Sequence, residues 1–425
     1  MRPILFPLFF VVIGCAGGGS SDGGDSSSPG PVMNLGSGPG DWSNPIMGDG
    51  ELKGSSGGYE TSGSSSVDDS APYAGSSSSG GSSGTSGESS SGASGSTGAA
   101  SSSGTGGASG SSSSSGGISS GTLPPSQNPG PGVLTAGTWD DNRNFSFFTK
   151  YRDSFLQDSP SGALSFAPAD ANAAAALFGD RTGAKNVLDV SLVIDTTGSM
   201  GDEISYLQRE FTSLVSTIQT KYPQAQQRWS LVLYKDVQDS YVVRWYDFRA
   251  DTAELKSKLM GASAGGGGDF PEAPDQAIDI ANRLSWRRDE NVARVMFWIA
   301  DAPHHDTDAA RMTASVKAAR DRNIHVYPVA SSGVDDFTEY TMRQTAQITG
   351  GRYIFLTDDS GVGGSHAEPT VPCYFVTKLD KAILRMVDVE LTGSYREPAQ
   401  DEILRTAGDP ESGICQVSDG TVAIY

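Results

Sequence analysis

The chain has 425 residues, but Ser and Gly dominate it from Gly17 to about Gly132. Such a stretch cannot bury enough apolar surface to offset the entropy of ordering, so folding capacity lies in roughly 133–425. A net charge of −20 argues against nucleic acid as a partner and against electrostatic binding to an anionic membrane.

The opening "MRPILFPLFFVVIGC" has a basic start at Arg2 and an apolar run from Ile4 to Ile13, interrupted by Pro7. The run is shorter than the ~20 residues that span a bilayer, so residues 1–15 read as a signal peptide. Its end, Val12-Ile13-Gly14-Cys15, resembles a bacterial lipobox. That resemblance implies lipidation of Cys15, which becomes the mature N-terminus; the bland alternative is an ordinary cleaved signal with a chance cysteine. Ala16 stands where an Asp would favour retention in the inner membrane, which points to the cell envelope's outer membrane. Residues 16–132 then form a disordered tether with an r.m.s. span of ~60 Å, long enough to carry a folded domain clear of a membrane surface. No later segment is apolar enough to cross one.

Residues 133–186 read as an extension of the core. Its aromatic-rich part (134–155) packs against the domain, and Pro168–Phe178 predicts a short alanine-rich helix. From Asn186 the periodicities alternate. Val187–Ile194 is a near-continuous apolar run with one acid, as expected for a strand covered on both faces. Ile204, Leu207, Phe211, Leu214, Val215, Ile218 and Tyr222 follow at helical spacing, and Pro223 marks the stop. "RWSLVLYKD" and "YVVRWYDF" read as two strands joined by the "VQDS" turn. A helix near 251–260, the loop "GASAGGGGDFPEAP" and a helix from about Asp275 to Ser285 come next. "VARVMFWIADAP" is a second apolar strand ending in an acid. A helix near Ala309–Arg322, the strand "IHVYPVA", a helix near Asp336–Thr349, the strand "RYIFL" and a helix near Phe375–Glu390 complete the pattern.

Strands alternating with helices over 187–392 predict an α/β fold, a doubly wound, mostly parallel sheet flanked by helices. In such sheets ligands sit at the C-terminal ends of strands, where the strand order reverses. Residues 393–425 form a second extension in which "GICQVSDGTVAIY" reads as a hairpin turning at Asp419-Gly420. Cys373 and Cys415 can pair in an oxidising compartment or stay as free buried thiols.

The oxygen-bearing residues collect at the strand ends. Asp195, Thr197 and Ser199 alternate along the first turn after a strand, so all three can face one point. Asp301 arrives from the other acid-ending strand, and the glycine-rich loop carries Asp269 and Glu272. Carboxylates and hydroxyls without Cys or His form a hard-oxygen set that suits Mg²⁺, Mn²⁺ or Ca²⁺ and not zinc. Without a cation the carboxylates would repel one another or take up protons.

"DTTGS" (195–199) resembles the Asp-x-Ser/Thr-x-Ser motif of von Willebrand factor A (VWA) domains, over roughly Val187–Thr392. The resemblance implies a metal-ion-dependent adhesion site with Asp195, Thr197, Ser199 and Asp301 as ligands. "DFPEAPDQAI" is similar to the Asp-x-Pro-Glu loop of integrin β-subunit I-like domains, which implies Glu272 as a further ligand of the central ion. By the same likeness Asp269 and Asp236 serve a neighbouring ion, and Asp202 and Glu203 a third. Gly267 stands where that family has an asparagine. In the family an open coordination position is filled by a partner's Asp or Glu carboxylate, so the implied partner is a protein ligand and the event is capture without chemistry.

Two other readings carry some sequence support. "TGSMG" sits on a strand–turn–helix like a nucleophile elbow, with Ser199 as nucleophile, Asp301 as acid and His325 as base. Thr197 occupies a position the elbow needs small, and His325 begins a strand, which places it opposite the site. A scaffold of an envelope machine would use the same metal site for one fixed partner. His304 and His305 read as a solvated loop beside the site, because imidazole suits a hard-oxygen ion poorly. The chain is not expected to be an enzyme.

Overall fold

A computed structural model describes residues 45–53, 132–144, 148, 161–179, 184–417 and 422–424. The signal peptide, Cys15, most of the tether and the Asp419-Gly420 turn lie outside the described residues. In chain order the first elements are β1 (Gly50–Leu52), β2 (Thr135–Trp139), α1 (Pro168–Gly179), β3 (Val187–Asp195), α2 (Gly201–Lys221), β4 (Gln226–Tyr234), β5 (Val243–Arg249) and α3 (Ala253–Met260). Next come α4 (Pro274–Arg283), β6 (Val292–Ala300), α5 (Ala309–Asp321), β7 (His325–Ala330), α6 (Asp336–Thr349), β8 (Tyr353–Thr357), β9 (Tyr374–Lys378) and α7 (Leu379–Thr392). Four short strands close the chain: β10 (Arg405–Ala407), β11 (Pro410–Glu411), β12 (Ile414–Gln416) and β13 (Val422–Ile424).

Ten strands form one sheet in the order β1-β5-β4-β3-β6-β7-β8-β2-β9-β10, and β11-β12-β13 form a small separate one. The central five, β4-β3-β6-β7-β8, are mutually parallel; the remaining pairings of the large sheet are antiparallel. Both faces are covered, which is why every residue of β6 is buried and its sequence shows no alternation. Leu188, Val190, Leu192 and Ile194 share one core cluster with apolar residues of α2, α3 and α7. The alternate residues of β3 point the other way, towards the face where α4 contacts β3, β4 and β5 and packs on α5.

The one acid in β3 has a structural use. Asp189 is fully buried and accepts from Arg228 Nε and Nη2 (3.0 and 2.7 Å) and from Arg287 N, Nε and Nη2 (2.8, 2.8 and 2.6 Å). Two guanidiniums thus neutralise a charge that would be costly alone.

Three segments differ from expectation. The helix expected near Phe375 begins only at Leu379, because Tyr374–Lys378 is a strand held antiparallel by β2 and β10. Its aromatic and β-branched residues fit a pleated surface better than a first helical turn. The N-terminal extension does more than pack on the domain: β2 enters the sheet between β8 and β9. Within the stretch read as tether, residues 45–53 are ordered as an edge strand on β5. Ile46 is buried there, Asp49 pairs with Arg249 at 2.8 Å, and Gly48 O accepts from Trp245 Nε1 at 3.1 Å. At the other end, β12 and β13 pair antiparallel as the expected hairpin, and Cys373 is disulfide-bonded to Cys415.

Candidate metal centre

Parallel register fixes the site. Asp195 lies beside Tyr234, and Ile194 beside Ile299, so the loops after β3, β4 and β6 leave the same end of the sheet. After β3 the chain turns through a short 3-10 segment, Gly198–Met200, into α2. Asp195 is fully buried, and its Oδ1 accepts from Thr197 N and Oγ1 at 2.9 and 2.7 Å. Asp301, just beyond β6, is hydrogen-bonded to Ser199. Glu272 is brought alongside by its backbone: its N–H donates to Pro303 O at 2.8 Å, and it bridges to His304. Gly267 has φ +74°, and a Cβ there would stand 2.8 Å from Glu272 Oε1 and 3.3 Å from Thr197 Cβ. A side chain at 267 would therefore press on two of the expected ligands.

The electrostatics follow from this convergence. Burial, and then the Asp301 carboxylate, push Asp195 up to about 7. Burial, and then the carboxylates of Asp195, Asp236, Asp239 and Asp301, push Glu272 up to about 9. Burial raises Asp301 to about 6 against the opposing Ser199 hydrogen bond. Asp195 Oδ2, Glu272 Oε2 and Asp301 Oδ1 are all buried without a hydrogen-bond partner among the described residues. Orphaned carboxylate oxygens that repel one another fit a hard dication. Among the described residues no three Asp, Glu, His or Cys side chains enclose an ion by themselves. The Thr197 and Ser199 hydroxyls adjoin these carboxylates, and a cation here could draw on them and on water to complete its shell.

The remaining candidates are placed differently. Asp269 is exposed at the tip of the glycine-rich loop. The acid that secures this loop is Asp239, whose Oδ2 accepts from Gly267 N at 2.9 Å and Asp236 N at 3.3 Å. Asp239 stands in a turn with no motif around it, so sequence reading passes over it. Asp236 is buried and its Oδ1 lies 2.6 Å from His305 Nε2. His304 is also buried, with Nε2 2.8 Å from Gly162 O and its ring 5.5 Å from Phe337. The two histidines are thus packing and tethering groups and not the solvated loop expected.

Asp202 is exposed on the first turn of α2, whereas Glu203 points inward. Glu203 Oε1 accepts from Ser332 N and Oγ at 3.1 and 2.9 Å, Ser332 Oγ lies 2.9 Å from His366 Nε2, and His366 Nδ1 lies 3.0 Å from Asp358 Oδ1. The Asp–His–Ser order is that of a nucleophile relay. Here Glu203 takes both groups a reaction would require, the hydroxyl and the adjacent N–H, so the chain works as a clamp between α2 and the 358–366 loop. No sequence signal marked Ser332, His366 or Asp358, because the loop after β7 and the 358–366 loop are brought together only by the fold. His325 is bonded to Glu390 at 2.8 Å and starts β7, at the opposite end of the strands from Ser199.

Residues 189–361 match the von Willebrand factor A domain family, and the chain carries a VWA domain. Curated relatives include an ariadne-like RING finger protein of Acanthamoeba polyphaga mimivirus, 29% identical over 188 residues, covering 40% of this chain and 18% of that protein. An alpha-protein kinase of Dictyostelium discoideum is 29% identical over 133 residues, covering 31% and 21%. The human collagen alpha-6(VI) chain is 26% identical over 200 residues, covering 46% and 8%. The chain thus spans at most about a fifth of the length of these relatives. Among solved structures, the pilus adhesin SpaC of Lactobacillus rhamnosus GG in its open conformation matches with a TM-score of 0.29 and 14% identity, covering 40% of this chain and 27% of that one. VWA domains often bind a divalent metal. Among the described residues no helix is long and apolar enough to cross a membrane.

Proposed function

We propose that this chain is an envelope-anchored VWA domain that binds a divalent cation, Mg²⁺, Mn²⁺ or Ca²⁺, and captures a protein ligand through an acidic group. The observation that carries the proposal is the set of three buried, unpartnered carboxylate oxygens, on Asp195, Glu272 and Asp301, at the sheet end where the loops after β3, β4 and β6 emerge. A rigidly held cation there, bound also by Thr197 and Ser199, would keep a coordination position for a carboxylate from a partner. The diversity of the relatives, named for a RING finger, a kinase and a collagen, supports reading the similar part of this chain as an interaction module. Anchoring through Cys15 and the tether would place the domain off the outer membrane. Asp236, Asp269, Asp202 and Glu203 are weaker ligand candidates, because Asp236 and Glu203 already hold other groups and Asp269 and Asp202 are exposed.

A scaffold role in an envelope assembly uses the same site and differs only in where the partner resides. The test is a pull-down from envelope extracts with Mg²⁺ and with chelator, using the wild type and Asp195→Ala. A partner retained only by the wild type and only with metal is the expected result. Equal recovery in chelator would contradict metal-dependent capture.

A further inference from the structure

A cationic cleft adjoins the glycine-rich loop of the candidate centre. The cleft, of about 480 Å³, opens between the β4–β5 turn and the segment after α3, and Lys235, Arg244, Lys258, Tyr241, Tyr246 and Gly266 are among the residues lining it. In a protein of net charge −20, three cations around one cleft are not explained by solubility.

Their arrangement is prepared. Arg244 Nε is held by Glu51 of the edge strand, and its Cζ stands over the Tyr241 ring, 3.8 Å from the centroid. Lys258 Nζ stands 5.3 Å from the centre of the Tyr246 ring and, among the described residues, makes no ion pair. Asp239 also borders the cleft, but its carboxylate is committed to the Gly267 and Asp236 amides. Cations set over aromatic faces at the edge of a cleft remain accessible to an incoming carboxylate.

The cleft shares its wall with the metal loop. Thr196, between Asp195 and Thr197, accepts at its carbonyl from Lys235 Nζ and from Gly265 N, the latter at 3.1 Å. Its Oγ1 lies 2.6 Å from Tyr241 OH. Gly266 O accepts from Gly198 N at 3.2 Å. Thr196 and Gly266 thus join the cleft directly to the loops of the candidate centre.

We infer that this cleft binds a second acidic side chain of the captured ligand, so that the partner presents two carboxylates, one for the cation and one for Arg244 and Lys258. The inference rests on the proposal that this face captures an acidic protein segment, but the cleft itself needs no metal.

The test uses the full chain, ¹⁵N-labelled, titrated with the peptide Gly-Glu-Gly-Gly-Glu-Gly and with its Gln counterpart, each in chelator and in Mg²⁺. Expected in chelator are saturable shifts of the Gly261, Gly265 and Gly266 amides with the Glu peptide only. The affinity should fall about tenfold in Arg244→Gln/Lys258→Gln. Lys258→Glu, at an exposed helical position, is the second variant and should show a similar loss with an unchanged melting temperature. Identical shifts with the Gln peptide, or wild-type affinity in both variants, would overturn the inference. So would inorganic sulfate binding as tightly as the peptide. A wild type whose response ignores Mg²⁺ counts against the metal proposal alone, because the chelator arm reads the cleft independently.

Discussion

At the scale of single residues, the centre trades the stability of the empty protein for affinity. Asp195, Glu272 and Asp301 hold protons in the folded state, with values near 7, 9 and 6, that the unfolded chain would release near pH 4. The folded metal-free protein binds more protons than the unfolded one, so its stability is greatest below the unfolded values and falls as pH rises through the folded ones. Calorimetry in chelator is expected to show a lower melting temperature at about pH 8 than at about pH 5. Mg²⁺ or Mn²⁺ replaces those protons, so the stabilisation it gives should grow over the same range. A chelated protein that gains stability towards pH 8 would contradict this. Gly267→Ala adds a methyl group against Glu272 at φ +74°. The strain should cost ~1 kcal/mol or more, read by urea unfolding, and metal affinity should drop with it. Unchanged affinity would show that Glu272 does not need its present position.

At the scale of elements, the central strands and their helices were legible, because burial on both faces writes a continuous apolar run and amphipathic helices write a 3.6-residue period. Asp195, Thr197, Ser199 and Asp301 were legible for a related reason, since each ends or follows a strand whose boundary is plain, whereas Glu272 was singled out by the likeness of its loop to the integrin one. What stayed hidden depends on partners distant in sequence. β9 looks like the start of a helix until β2 is seen to pair with it at Ala136↔Thr377, a partner more than two hundred residues earlier that the local run cannot show. Asp239 is one acid among many until Gly267 N is found on it. Residues 45–53 were masked by the Ser/Gly composition around them, although Ile46 and Asp49 have specific places on the domain. Removing 45–53 should expose the Trp245 edge and lose ~2 kcal/mol from Ile46 alone. A domain of this size should then melt ~4–8 °C lower. An unchanged melting temperature would mean that this strand contributes nothing to the fold.

At the scale of the whole molecule, one disulfide ties the C-terminal extension to the domain. Cys373 and Cys415 are buried and bonded across a sequence separation of 42 residues, and closing a loop of that length is worth about 4 kcal/mol in the chain-entropy model. Cys415→Ser is therefore expected to lower thermal stability markedly while sparing metal binding at the far loops; equal stability would show that the small sheet stands without the bridge. Cys15→Ser should move the chain from the membrane fraction to the soluble fraction of the envelope, and retention would rule out a lipid anchor. Capture of the partner's first carboxylate, as proposed, depends on the cation. The direct measurement is calorimetric titration of Mn²⁺ into the metal-stripped wild type and Asp195→Ala at about pH 8. The expected result is a saturable site in the wild type, weakened at least about tenfold in the variant, with circular dichroism unchanged. The same affinity in both proteins would contradict a centre built on Asp195.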